Sequence, residues 1–247
     1  MLGASRAALM ASGGGGSDPY FANVSLLLHA DGADASTTFT DSSANGFTVT
    51  ALNAAQIDTA QFKFGGASGL FSGSGDGLTV ANNAAFAMGS GDFTFETFAR
   101  FSSLPSSGNY YIFIAKADFV PAVRSGSYIW GIYNDAGSYQ MFLGYTTGGV
   151  SFTMIYSTAI SLSTGVFSHF ALSVSGGTVR YFADGVQYGS DTLSGALFTG
   201  TDDLYIATRD SSATQDLLGW IDELRITKGI ARYTSGFTPP SAAFPDS

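Results

Sequence analysis

The side chains able to carry chemistry are few, and they fall on runs that alternate with a period of two. Glutamate occurs only at Glu96 and Glu223, and histidine only at His29 and His169. In Leu218-Gly219-Trp220-Ile221-Asp222-Glu223-Leu224-Arg225-Ile226, strand alternation sets Leu218, Trp220, Asp222, Leu224 and Ile226 on one face. Asp222 then lies among large apolar side chains, where a carboxylate needs backbone donors, a cation or a proton. The same alternation over Phe93 to Phe101 groups Thr94, Glu96, Phe98 and Arg100, so a Glu96–Arg100 salt bridge is the expected use of that acid. A retaining glycosidase needs two carboxyls about 5 Å apart. Glu96 has no acidic companion in its run, and Glu223 has only Asp222, on the opposite face, so hydrolysis is disfavoured. His29 and His169 sit in strand-like runs without a nucleophile-elbow sequence, and both are expected as hydrogen-bonded packing residues. Asp41-x-Ser43-x-Asn45-Gly46 spaces oxygen ligands as a calcium loop begins, but the twelfth position is Leu52 rather than Glu. Side-chain-to-backbone turn bonds are the alternative use of Asp41 and Asn45.

The elements that must hold these residues are strands. Charged residues make up 12% of the 247-residue chain, against roughly 25% in an average soluble protein. Gly, aromatic, Ser and Thr residues take their place, which suits strands and turns and leaves little for exposed helix surfaces. The net charge of −9 argues against nucleic acid as a partner. Cysteine is absent, which excludes disulfides and thiolate metal sites, and no apolar run reaches the ~18 residues of a membrane span. About a dozen short strand-like runs recur between turn signals at sandwich spacing. The clearest is Phe170 to Val174, Gly176-Gly177, Thr178 to Ala183, Asp184-Gly185, Val186 to Tyr188, a three-stranded meander with positive-φ turns. Gln61 to Phe64 reads as a further strand, Phe119 to Ser127 as an irregular loop, and Lys228 to Tyr233 as the one helix-period stretch. The closing Pro239-Pro240 to Phe244-Pro245 reads as extended packing on the surface. Residues 1–23 stand apart: an apolar peptide, the linker Gly13 to Ser17, then Asp18-Pro19. They are expected either as an anchoring arm on a tether or as an unstructured terminus.

In order along residues 25–228, several segments resemble laminin G-like jelly rolls of the concanavalin A-like lectin/glucanase superfamily. They are Ser25-Leu26-Leu27-Leu28-His29-Ala30-Asp31-Gly32, Asp41 to Gly46, Lys63 to Ser68, Phe71 to Val80, Gly91 to Glu96, Ser168 to Leu172, Phe182 to Gly185, and Trp220 to Ile226. Phe98 and Phe167 stand where that family favours Trp, conservative changes. The resemblance implies an all-β, two-sheet antiparallel β-sandwich over residues 24–247, preceded by the arm 1–23. It also implies a loop calcium ion, for which Asp41, Asn45, Asp76 and Asp222 are the candidate ligands. The stretch Lys228 to Ser247 and the lead-in Asp18 to Phe21 are similar to versions found in bacteriophage structural proteins. That similarity implies a non-enzymatic virion component, a capsid decoration or tail protein at the particle surface, bound to other virion proteins through residues 1–23. Host glycans are an implied ligand, with Tyr110, Tyr111, Tyr133, Tyr139, Tyr145 and Tyr156 available as a stacking platform or as core filling. Self-association, as a trimer, is a further expectation for so weakly charged and aromatic a surface. A secreted or cell-surface carbohydrate-binding module is the alternative, and a glycoside hydrolase the less favoured one.

Overall fold

Runs rich in Val, Ile, Phe, Tyr and Thr become strands because their branched and flat side chains pack on a pleated surface. The structure, a computed structural model, describes residues 17–117, 126–210 and 216–247. Sixteen strands lie within them, beginning with β1 (Val24–Leu28), β2 (Thr38–Thr40), β3 (Thr48–Leu52), β4 (Gln56–Asp58), β5 (Ser68–Ser72), β6 (Gly77–Val80), β7 (Phe93–Phe101) and β8 (Tyr110–Lys116). The others are β9 (Tyr128–Asp135), β10 (Ser138–Tyr145), β11 (Thr153–Tyr156), β12 (Phe167–Ser175), β13 (Thr178–Ala183), β14 (Val186–Thr192), β15 (Leu204–Ile206) and β16 (Leu218–Lys228). The first sheet runs β14-β13-β12-β7-β16-β5-β4, with β1 also on β16, and the second runs β11-β10-β9-β8-β15-β6-β3-β2. Phe95 and Phe101 of β7, Phe170 and Leu172 of β12, and Leu224 and Ile226 of β16 meet Phe113, Trp130 and Leu143 of the second sheet in one core. Each such side chain contributes about 1.5–3 kcal/mol by leaving water. The expected meander is β12-β13-β14, with Gly176, Gly177, Asp184 and Gly185 all at positive φ.

β16 is the spine of the first sheet. One edge pairs with β7, while the other pairs first with β5 and then with β1. At the change of partner the strand bulges between Asp222 and Arg225, and Glu223 takes φ +54°. An inserted residue reverses the alternation beyond it. Unbroken alternation across this strand is therefore corrected. Ile221, Leu224 and Ile226 point into the core, whereas Trp220, Asp222 and Arg225 pair with Arg100, Phe98 and Glu96 on the outer face.

Three further expectations are corrected. Residues 1–16 of the proposed arm lie outside the described residues, but Asp18 to Asn23 belong to the globule. Asp18 is 8% exposed, its N–H donates to the Ser247 carbonyl (2.8 Å), and Phe21 packs against Val24, Leu27, Phe98 and Phe244. Lys228 to Tyr233 is not helical: it ends β16 and turns onto the outer face, where the Arg232 N–H donates to Thr94 Oγ1 (2.9 Å). Gln61 to Phe64 forms turns rather than a strand, because the Lys63 and Phe64 N–H groups are spent on Asp222. Most of the expected loop Phe119 to Ser127 lies outside the described residues.

Candidate functional site

The outer face of the first sheet holds a dense group of buried charges, and the segment from Asp18 and the C-terminal stretch cover it. Glu96 Oε1 accepts from Arg225 Nε (2.9 Å) and Arg225 Nη2 (2.8 Å), and Glu96 Oε2 accepts from Tyr233 Oη (2.7 Å). His169 Nε2 lies 3.3 Å from the same Oε2. Asp18 bridges Arg225 (3.0 Å) and Arg232 (2.6 Å). Burial works against the charge on Glu96, yet Arg225, His169 and Arg232 hold its carboxyl well below the usual range. Asp18 is lowered in the same way, its Arg232 bonds outweighing burial. Tyr233, Phe237 and Phe244 close over His169 and Phe98, and Tyr233 stacks on Phe237 at 3.6 Å. Glu96 therefore pairs with Arg225 rather than Arg100, whose guanidinium lies 4.5 Å over the Trp220 ring instead. Sequence reasoning missed Arg225, Arg232, Asp18 and Tyr233 as a unit, since Asp18 and Arg232 are 214 positions apart. The histidines are packed and bonded as expected, His29 Nδ1 lying 2.9 Å from Glu223 Oε1.

The four candidate calcium ligands do not converge. Asp41 Oδ1 accepts from Leu27 N–H (3.1 Å) and Ser43 N–H (2.9 Å), and Oδ2 accepts from Ser43 Oγ (2.9 Å) and Phe47 N–H (2.8 Å). The Asn45 amide donates to the Val24 and Ser25 carbonyls. Asp76 takes the Ala54 N–H (2.9 Å), the Ser72 N–H (2.9 Å) and Ser72 Oγ (2.6 Å). Asp222 Oδ2 takes the Lys63 (2.7 Å) and Phe64 (3.0 Å) N–H groups. Carboxylates spent on protein donors have few lone pairs left for a cation that wants six to eight oxygens. Among the described residues no three His, Asp or Glu side chains group as a metal site would require. One ion shared by Asp41, Asn45, Asp76 and Asp222 therefore does not fit these side chains. Their common work is to tie loops to strands: Asp41 and Asn45 to β1, Asp76 to β5, and Asp222 of β16 to the turn before β5.

The outer face of the second sheet is different in kind. There Tyr110, Tyr133, Phe142 and Tyr156, from β8 to β11, form one aromatic cluster. Tyr110 stacks on Tyr133 at 4.5 Å and meets Phe142 edge-on at 5.0 Å, and Tyr133 lies 5.5 Å from Tyr156. Cross-strand pairing of Tyr110 with Tyr133 and of Phe142 with Tyr156 sets this grouping. β8 bulges between Ile112 and Ile114, and Gly131 lies beside it where a Cβ would overlap the Tyr111 carbonyl oxygen. Beside the rings, a depression of about 170 Å³ is lined by Tyr110, Ile112, Ile129, Phe142, Phe152, Met154 and Arg209. Arg209 is paired with Asp210 at 3.4 Å. The Tyr133 and Tyr156 hydroxyls are raised by desolvation and by neighbouring phenols, so they stay protonated as donors. Of the six tyrosines named from sequence, Tyr110, Tyr133 and Tyr156 form this platform, while Tyr111 and Tyr145 are core residues and Tyr139 packs beside the core. Partly exposed rings flanked by hydroxyls can stack on sugar faces and bond sugar hydroxyls.

Solved structures share the fold at low identity. The binding domain of Paraclostridial Mosquitocidal Protein 1 matches with a TM-score of 0.62 and 14% identity, covering 86% of this chain and 51% of that one. The botulinum neurotoxin serotype G binding domain matches with a TM-score of 0.62 and 14% identity, covering 85% and 49%. The chain thus spans about half the length of these toxin domains. Domain 4 of AbnA, an extracellular arabinanase of Geobacillus stearothermophilus solved with arabinotriose, matches with a TM-score of 0.60 and 16% identity, covering 85% of this chain and 94% of that domain. No curated protein sequence matches the chain. No described helix is long and apolar enough to cross a membrane. The laminin G-like profile of the concanavalin A-like lectin/glucanases superfamily matches residues 72–230, well over half of the chain, and the protein belongs to that superfamily.

Proposed function

We propose that this protein is a non-enzymatic bacteriophage virion component, a capsid decoration or tail protein, that presents a lectin-like sandwich to host glycans. One observation carries the reading: the outer face of the first sheet is covered by the Asp18 to Phe21 segment and the C-terminal stretch, while that of the second carries the tyrosine platform. The arm before Asp18 starts on the sealed side, where Asp18 meets Ser247, so anchoring there turns the platform outward. Glu96, the acid most deeply buried in the sheet, is committed to Arg225 and Tyr233, which leaves it no hydrolytic work. Two of the structural neighbours are toxin binding domains, and a third, a domain of an arabinanase, was solved with an oligosaccharide.

A glycan array of the purified protein tests the ligand, run with and without chelator to ask whether calcium contributes. Tyr133→Ala should lose the signal, and a flat array for the parent would overturn the glycan reading. Mass spectrometry of purified virions tests the location, and absence of the chain from particles would overturn it. Light scattering of the purified protein tests the trimer. A secreted or cell-surface carbohydrate-binding module is the second reading, favoured by the near-complete coverage of the arabinanase domain. It predicts the same array result without the chain in virions.

A further inference from the structure

At the loop end of the sandwich, the β5–β6 turn and the β7–β8 connection enclose a cleft of about 480 Å³. Its rim carries the exposed side chains of Ser74, Ser103, Ser106 and Asn109, and its floor carries Tyr111 and Asp216. Tyr110 lines both this cleft and the depression on the aromatic face, so the two adjoin at that residue. The rim groups are pre-arranged by neutral bonds: Asn109 Nδ2 donates to Ser106 Oγ (2.8 Å), and Ser103 Oγ lies 3.1 Å from Tyr111 Oη. Asp216 is buried and fixed, accepting from Thr208 Oγ1 (2.6 Å) and the Gly75 N–H (2.6 Å).

We infer that this cleft is a second sugar subsite, extending the tyrosine platform around Tyr110, and that it takes neutral rather than acidic oligosaccharides. The inference rests on the glycan reading above and adds the ligand's path and its charge. Hydroxyl and amide groups that both donate and accept match the hydroxyls of an uncharged sugar. A carboxylate-bearing sugar needs a cationic partner, for which Arg is the usual choice. No Lys or Arg lines the described cleft, whose charged lining residue is the Asp216 carboxylate, which repels an acidic sugar, and Arg209 of the adjoining depression is paired with Asp210. A volume of this size lies within the range of small-ligand sites, roughly 300–1,000 Å³.

The test is titration of the full chain with matched sets of neutral and sialylated or uronic acid-bearing oligosaccharides, from monosaccharides upward, with arabinotriose among the neutral probes. The Ser106→Ala/Asn109→Ala double variant removes exposed side chains only, and an unchanged melting temperature confirms that it folds. It should weaken binding of the longer neutral ligands about tenfold, as losing a hydrogen bond or two predicts, and leave monosaccharides unaffected. Tyr133→Ala should weaken all of them. If the double variant binds like the parent while Tyr133→Ala does not, the platform stands and the cleft inference falls. Tighter binding of acidic than neutral sugars would overturn the assigned class. No binding of any sugar by the parent would remove the glycan reading and the subsite together.

Discussion

Asp222 tests how this fold manages a buried charge. Its Oδ2 holds the Lys63 and Phe64 N–H groups, while Oδ1 is buried without a partner among the described residues. Burial pushes the carboxyl up to about 7 against the pull of those two bonds, and the Glu223 and Asp31 charges add to the rise. An unfolded aspartate titrates near 3.8. Between these values the folded protein keeps a proton that the unfolded chain has released, so stability at this site falls as pH rises from about 4 to about 7. At about 1.36 kcal/mol per pH unit, the ionised form is worse off by at most about 4 kcal/mol at pH 8. Asp222→Asn keeps an acceptor for both N–H groups and carries no charge. It should melt several degrees above the parent at pH 8, at about 2–4 °C per kcal/mol for a domain this size, and close to it near pH 4. Asp222→Ala instead strands two buried donors at about 1–3 kcal/mol each, and should melt lower at every pH. Thermal melts by circular dichroism from pH 4 to 9, with and without chelator, check both. If Asp222→Asn melts as low as Asp222→Ala at pH 8, and chelator brings the parent down to the same value, the ionised carboxylate is holding a cation and the reasoning fails.

Glu96→Gln leaves the Arg225 guanidinium buried opposite a neutral amide and should cost about 3–5 kcal/mol by chemical denaturation; a change within error would contradict the buried ion network. His29 is raised first by its bond to Glu223, then by the charges of Asp31 and Asp246. Its contribution is complete below the ordinary value of 6.5 and is lost as pH rises through the higher folded value, so His29→Gln should flatten the fall of melting temperature between 6.5 and that higher value. Gly131→Ala drives a Cβ into the Tyr111 carbonyl oxygen at the β8 bulge; it should destabilise by at least about 1–3 kcal/mol and weaken sugar binding, both measurable on one preparation.

Much of the architecture was legible because period-two runs and positive-φ turns are local properties. Phe93 to Phe101, the Gly176-Gly177 and Asp184-Gly185 turns and the alternation of β12 and β13 all stand where local chemistry puts them. The bulge at Glu223 was not legible, since nothing local distinguishes it. It comes from the change of partner from β5 to β1, strands about 150 or more positions away in the chain. The same limit hid the Asp18–Arg225–Glu96–Arg232 network, whose members come from both ends of the chain and from β7. Asp41 and Asn45 could be read as turn-bonders or as ligands, because an oxygen that accepts N–H groups and one that binds calcium share a sequence signature. The tyrosines were visible as a set, but which of them faced outward depended on which side of their strands met the other sheet, and both sides are apolar.

That network also explains why so lightly charged a protein buries so much of its charge in one place. Burying ions is expensive, and an apolar replacement of similar volume is often as stable or more so. Stability alone is therefore a poor reason for Asp18, Glu96, Arg225 and Arg232 to meet on the outer face of the first sheet. Apolar residues there would accept the terminal segments in many registers, whereas each charge accepts one partner at one distance. Arg232 on the C-terminal stretch and Arg225 on β16 both close on Asp18, whose N–H in turn meets Ser247. The Asp18 segment and the C-terminal stretch are thereby fixed beside each other, and Phe244 is held over the Arg225 guanidinium at 4.0 Å. The network thus gives the terminal segments one register on this face, opposite the tyrosine-bearing face of the second sheet.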